Sequence, residues 1–296
     1  MKVAFIVNAK ARGKAGFYRQ VNEIDSKIEF EVFETKARFH ATELTQSAIQ
    51  NGFETIIAVG GDGTINEVVN GFLNNDSNDT QPILGLYPAG TANDFAKSVN
   101  ATPSLASIFQ QIDNKEFKQI DAGKVKTGAT SKYFINIADA GLGAEVVGTI
   151  DKCSKPFGSH FAFYSTIFLK FFTYKKKKVR IELDNLTWEG SILSMVVANA
   201  KYFGSGLCIA PHANLNDGQF AIAIYGEITV IDYLKYLPKI RKGDFIKHSH
   251  VHYSETKSAR IIPLSDPPFI EADGELFGPA EAVIEIMPKA IRFLMA

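Results

Sequence analysis

The chain has 296 residues, enough for two modest domains with a core in each. Its 32 basic and 32 acidic side chains cancel, so no global field argues for nucleic acid as a partner. Two isolated cysteines, Cys153 and Cys208, exclude a disulfide framework and a zinc site, and a cytoplasmic setting is the simplest expectation. The first eight residues lack the long apolar core and cleavage site of a signal peptide and read as a strand. No uncharged apolar run approaches the roughly eighteen residues that a bilayer span requires. The glycosylation sequons at Asn78 and Asn185 read as chance matches in such a protein.

From 1 to 123, apolar strands alternate with helix-like segments. Strands are predicted over 2–7, 28–33, 54–59 and 83–86, with helical spacing over 40–50. A small-residue, basic loop from Asn8 to Gly16 follows the first of them. This alternation predicts an α/β domain with a parallel sheet, helices on both faces and ligands beyond the carboxyl ends of the strands.

The stretch 56–71 is the centre of that domain. A continuous apolar run ends in Gly60-Gly61-Asp62-Gly63, whose glycines let a backbone approach a ligand closely. Thr64-x-x-Glu67 then reads as a capping box, so that free N–H groups and a helix amino end would suit phosphate. No segment supplies a Walker A loop, and Asn66 stands where the dinucleotide fingerprint needs its third glycine. Asp62 would repel a phosphate unless Mg²⁺ or a hydroxyl is present. A tight turn with an Asx bond is the alternative. Downstream, Pro88 and Gly90 shape a second loop, with Thr91-x-x-Asp94 as another capping box. Two capped helices would then aim their amino ends into one crevice, or Asp94 serves only as a cap.

Beyond 123 the segments 133–137, 178–183, 191–197, 220–225, 259–262 and 282–286 are short and β-rich, predicting a mainly antiparallel second domain over 124–296. Helical segments at 161–174 and 229–240 interrupt it. The loop 211–220 offers Asp217 and several carbonyls to a hard cation, or is a plain Asp-Gly hairpin. Asp273-Gly274-Glu275 sets carboxylates around another such turn. The aromatic run 157–172, followed by Lys175 to Lys178, suits either an anionic membrane surface or a core helix. His248, His250 and His252 would share a strand face, exposed or metal-binding. Trp188 reads as a packing residue.

Taken together, Gly60-Gly61-Asp62-Gly63-Thr64-x-Asn66-Glu67-x-x-Asn70-Gly71 and Pro88-x-Gly90-Thr91-x-Asn93-Asp94-Phe95-Ala96 closely resemble the diacylglycerol kinase catalytic family, which includes bacterial soluble lipid kinases and the sphingosine and ceramide kinases. The likeness continues through Asn136, Gly141, Gly143-Ala144, Asn199, Ala210-Pro211, Asp217-Gly218 and Asp273-Gly274-Glu275, over essentially the whole chain. Ala9 replaces the usual proline, and Ser205 interrupts the usual triple glycine.

The resemblance implies an NAD-kinase or phosphofructokinase-like amino-terminal domain and a carboxy-terminal β-sandwich, with ATP and Mg²⁺ bound between them. It implies a nucleotide site of Asn8, Thr35, Gly60, Gly61, Gly63, Thr64, Glu67, Gly90, Thr91 and Asn93. Asp62 and Asp94 would hold the Mg²⁺ waters, and Asp217, Asn214 and Gln219 a second, structural metal. Asp273 would be the general base, with Glu275 beside it; Asp273→Ala should then keep ATP affinity and lose turnover. The activity implied is transfer of the γ-phosphoryl group of ATP to the hydroxyl of a lipid such as diacylglycerol, in phospholipid metabolism. Partners expected are ATP, a lipid and the inner membrane face, with a homodimer left open. A kinase of a soluble alcohol, NAD included, and a non-catalytic regulator are the alternatives; the carboxylates disfavour the regulator.

Overall fold

The computed structural model describes residues 2–24, 27–75, 81–150 and 159–295, with side chains in the last range from 165 onward. Cys153, the Asn78 sequon and the side chains of 157–164 lie outside the described residues. Two compact units emerge, Met1–Asp121 with Lys289–Ala296, and Ala122–Pro288.

The first unit runs β1 (Lys2–Val7), α1 (Lys14–Glu23), β2 (Glu29–Glu34), α2 (His40–Gln50), β3 (Thr55–Gly60), α3 (Asp62–Leu73), β4 (Ile83–Pro88), α4 (Asp94–Ser98) and α5 (Leu105–Asp113). Its strands pair in parallel in the order β2-β1-β3-β4. Residues of β3 are buried throughout, as expected of a strand covered on both faces, whereas edge strand β2 is only partly covered. Phe5 packs edge-on against Phe30 and Phe109 and tilted against Phe17, an aromatic cluster worth about 2–3 kcal/mol per buried ring. The last residues of the chain return here. Phe293 pairs beside Leu84 and its ring meets Phe95 at 5.5 Å, and Lys289 donates its N–H to the buried Asp121 at 2.6 Å.

The second unit contains β5 (Phe117–Thr127, beginning in the first), β6 (Thr130–Phe134), β7 (Ile137–Gly141), α6 (Leu142–Ile150), α7 (Ser159–Thr173), β8 (Lys177–Leu183), β9 (Leu186–Ile192), β10 (Ser194–Ala198), β11 (Tyr202–Phe203), β12 (Leu207–Cys208), β13 (Phe220–Tyr225), α8 (Val230–Lys242), β14 (Val251–Thr256), β15 (Ser258–Pro263), β16 (Phe269–Ala272), β17 (Glu275–Pro279) and β18 (Ala282–Leu294, ending in the first). An antiparallel sheet in the order β14-β13-β10-β7-β16-β17 packs against β18-β15-β8-β9. Alternate residues such as Met195, Val197, Ile222, Ile181 and Ile261 fill the space between, which makes this unit a β-sandwich. Helices α7 and α8 cover the other face of the first sheet through Ile167, Phe171 and Ile240. Asp232 and Thr229 complete a capping box at α8.

Two predicted strands break in the middle. The segment 133–137 splits into β6 and β7 because the N–H groups of Ile135 and Asn136 go to a carboxylate instead of the ladder. The segment 191–197 splits at Leu193, whose carbonyl accepts the Leu142 N–H at 2.9 Å and starts α6. Only His252 of the three imidazoles lies in a strand, since His248 and His250 precede β14. No metal-holding group of three or more His, Cys, Asp or Glu occurs among the described residues. Trp188 packs against the sandwich core, as expected.

Candidate active site

The two glycine loops of the first unit meet backbone to backbone. A Cβ at Gly90 would lie 2.4 Å from the Gly61 Cα, and one at Gly60 would lie 2.2 Å from Thr64 Oγ1. Asn93 ties the second loop by accepting the Gly90 N–H at 3.0 Å and donating to the Gly90 carbonyl at 3.2 Å. Neither expected capping box forms. Helix α3 begins at Asp62, so Thr64 lies inside it and its hydroxyl accepts the Asn8 amide at 3.0 Å. Glu67 instead takes the Ala41 N–H at 3.2 Å. Helix α4 begins at Asp94 after a left-handed Asn93 (φ 50°), with no side-chain cap from its own loop. Its cap comes from the first loop, because Asp62 Oδ1 accepts the Phe95 N–H at 2.9 Å. The amino end of α3 therefore faces the cleft while that of the five-residue α4 is already engaged.

The cleft measures about 440 Å³ and is lined by Asn8, Thr35, Gly61, Thr64, Glu67 and Thr91, with Gly63 and Gly90 contributing main chain. Gly60 and Asn93 stand behind this surface and hold the loops. Thr35 closes one side, its hydroxyl accepting the Ala9 N–H at 3.2 Å. Lys10, Arg12, Lys36 and Arg38 complete the lining. A cleft walled by amides and small hydroxyls, with four exposed cations at its edge, suits a polyphosphate.

Asp62 and Asp94 are both largely buried and do not themselves line that cleft, although Asp62 stands between Gly61 and Gly63, which do. Burial pushes the Asp62 carboxyl up, the Phe95 N–H opposes it, and the charge of Asp94 pushes it further. Lys97 partly offsets Asp94 at 2.7 Å. Two neighbouring carboxylates of which one resists ionisation fit a hard divalent cation, whose charge would relieve the repulsion.

In the second unit, Asp273 and Gly274 form the two-residue turn between β16 and β17, both left-handed at φ 47° and 82°. The Asp273 carboxylate accepts the N–H groups of Ile135 at 2.7 Å, Asn136 at 3.1 Å and Ile137 at 2.9 Å. Asn136 and Asn199 brace that segment by donating to the carbonyls of Tyr202 and Ile135. Glu275 pairs with Lys132. The Asp217 carboxylate closes an Asx turn on the Gln219 N–H at 3.0 Å and, with Asn214, is exposed. One carboxylate and two carbonyl groups would suit only a weakly held hard cation.

An apolar cavity of about 110 Å³ lies in the same unit between the first sheet and the two long helices, walled by Ile167, Phe171, Tyr233 and Tyr236. Its sheet side carries Asp139 and Ser194, which hydrogen-bond to each other. Burial pushes Asp139 up to about 6, against the Ser194 hydroxyl and the Ala144 and Gly143 N–H groups. The folded state then binds this proton more tightly than the unfolded chain, where the ordinary value is 3.8. Stability is accordingly expected to fall as pH rises from about 4 to about 6, by roughly 3 kcal/mol at most. Asp139→Asn should flatten that slope in thermal melts between pH 4 and 8; an unchanged slope would show that another group titrates.

A family model for the diacylglycerol kinase catalytic domain matches residues 2–125, and one for the YegS C-terminal NAD kinase beta sandwich-like domain matches 136–295. A diacylglycerol kinase of Staphylococcus saprophyticus is 30% identical over 284 residues, 94% of this chain and 90% of the relative. This chain belongs to the diacylglycerol kinase family. A Bacillus subtilis diacylglycerol kinase is likewise 30% identical over 285 residues, 94% of this chain and 91% of its own. The crystal structure of a diacylglycerol kinase from Bacillus anthracis shares the fold, with a TM-score of 0.73 at 20% identity over 100% of this chain and 97% of that one.

The protein is thus a kinase, and the reading of its glycine loops from sequence missed the cations at the cleft edge. Lys10 and Arg12 lie in a loop read only as basic, and Lys36 and Arg38 beyond β2 carried no pattern. Only their convergence on one cleft marks them. No described helix of this diacylglycerol kinase family member is long and apolar enough to cross a membrane.

Proposed function

We propose that this kinase transfers the γ-phosphoryl group of ATP to the hydroxyl of diacylglycerol or a closely related lipid. The apolar cavity of the second unit carries this reading, because a soluble alcohol has no use for a space walled by Ile167, Phe171 and two tyrosines. The cleft of the first unit would hold the triphosphate through main-chain amides, Thr64 and the four cations at its edge, without a Walker lysine. Mg²⁺, when held by Asp62 and Asp94 through its waters, would neutralise charge on the transferring group. The acceptor oxygen forms the new bond to phosphorus as the bond to the β-phosphate oxygen of ADP breaks, and its proton passes to Asp273. Three N–H donors already fix the orientation of that carboxylate. Glu275, held by Lys132, would support the same turn.

Helices α7 and α8 favour contact with a lipid surface. Their inner faces join where the Phe171 and Tyr233 rings stand 5.0 Å apart. Phe168, Leu169 and Phe172 on α7 and Ile231 and Leu234 on α8 are 47–77% exposed, with Lys175 and Lys176 following at once. The buried face of α7 fits the core-helix reading, and its exposed apolar face supports the membrane-surface one. Labelled ATP offered to a panel of extracted lipids, with NAD alongside, is expected to label a neutral glycerolipid and leave NAD unlabelled. Label appearing only in NAD or another soluble alcohol would overturn the reading.

A further inference from the structure

Glu271 precedes the proton-accepting turn by two residues and has no part in the reaction described so far. Its side chain is fully buried. Oε2 accepts the Gly274 N–H at 2.8 Å, whereas Oε1 has no hydrogen-bond partner among the described residues. Directly opposite, in register on β7, stands Asp139. Two carboxylates facing each other away from water cannot both be charged cheaply. Burial is the main push on Glu271 toward its neutral form, the charges of Asp139 and Asp273 add to it, and the Gly274 N–H opposes. Around the pair, Ser194 on β10 and the Ala144 N–H donate to Asp139, Tyr174 after α7 and Tyr225 on β13 sense its charge, Glu145 acts on the same Tyr174, and Asp232 lines the cavity that Asp139 faces. A neutral carboxylic acid can still accept an N–H through its carbonyl oxygen.

We propose that Glu271 is a positioning residue for Asp273, clamping the Gly274 N–H so that the left-handed Asp273–Gly274 turn presents its carboxylate in one orientation. The inference rests on Asp273 being the proton acceptor. The Asp273 half of the turn is held by the three N–H contacts of its carboxylate, and Glu271 holds the Gly274 half. Asp273 adopts the left-handed backbone that Asp tolerates better than most residues, and its N–H is spent on the Ile137 carbonyl at 2.9 Å. Losing the Gly274 clamp would let the second half of the turn relax. The charge of Glu271 plays no part in this; only its acceptor oxygen does.

Two substitutions separate the acceptor from the acid. Glu271→Gln keeps a carbonyl oxygen at Gly274 and cannot ionise, so kcat and the KM for ATP are expected to stay close to those of the parent. Glu271→Leu removes the acceptor, and kcat is expected to fall by up to about 10²-fold with the KM for ATP unchanged, since small misplacements of a reacting group cost that much. Amide exchange at Gly274 should be slow in the parent and in Glu271→Gln and faster in Glu271→Leu. Loss of kcat in Glu271→Gln equal to that in Glu271→Leu would overturn the proposal, as would parental kcat and Gly274 exchange in Glu271→Leu. If the parent itself phosphorylates no lipid, the assigned function fails, and Gly274 exchange alone then decides the clamp.

Discussion

Asp273→Asn is expected to lower turnover by about 10²–10⁴-fold while ATP affinity is retained. Asparagine is the informative replacement. Alanine, the simpler choice from sequence, would strip the acceptor from three consecutive main-chain donors, Ile135, Asn136 and Ile137, and would disturb the break between β6 and β7. A buried donor left without a partner costs about 1–3 kcal/mol. The amide oxygen of asparagine can still accept part of this set and tolerates the left-handed backbone, but it cannot take a proton at neutral pH. Turnover and ATP binding should be measured on the same preparation. Parallel loss of both would make Asp273 a structural residue; parental turnover would remove it from the chemistry.

The second large effect separates two glycines of the cleft loops. Gly90→Ala would drive a methyl group to 2.4 Å from Gly61 Cα and 2.7 Å from Asn93 Oδ1, both parts of the tied loop pair. Backbone must move, at about 1–3 kcal/mol, and ATP binding is expected to be lost with it. Gly63→Ala is the counterpart. A Cβ there meets no described atom within 4 Å apart from its chain neighbours and its own helix backbone, and the residue lies in the first turn of α3. Helix propensity alone favours alanine by about 1 kcal/mol, so the melting temperature should rise by about 2–4 °C. Because Gly63 also lines the cleft, the added methyl group should weaken ATP binding in a more stable protein. Calorimetric titration with ATP and thermal melts check both. Parental ATP affinity in both variants would place the nucleotide elsewhere.

Much of this kinase was legible as local pattern. The apolar run of β3, the short β-rich segment of β13 and the helical spacing of α2 appear in the structure within about a residue of their expected ends. Gly61, Gly63 and Gly90 line the cleft their loops suggested. The capping boxes failed because Thr64 and Thr91 fit the spacing while their side chains or neighbours found other partners. Asn8, 56 residues away, is one of these, donating to the Thr64 hydroxyl. The cations at the cleft edge were invisible for a related reason. Lys10 and Arg38 lie on different loops, and no period links them.

The chain's own order of residues determined the parallel domain, the glycine loops and the Asp-Gly turn that carries Asp273. Each follows from burial periodicity or from backbone angles that a few neighbouring residues impose. Tertiary structure alone decided that Asp62 caps a helix beginning 32 residues later at Asp94, that Asp273 holds the main chain near Asn136, and that Asp139 faces Glu271. It also returned Lys289–Ala296 to the first unit. Those are contacts between segments far apart in the chain, set by strand register and by the need of buried polar groups for partners, which no local pattern records.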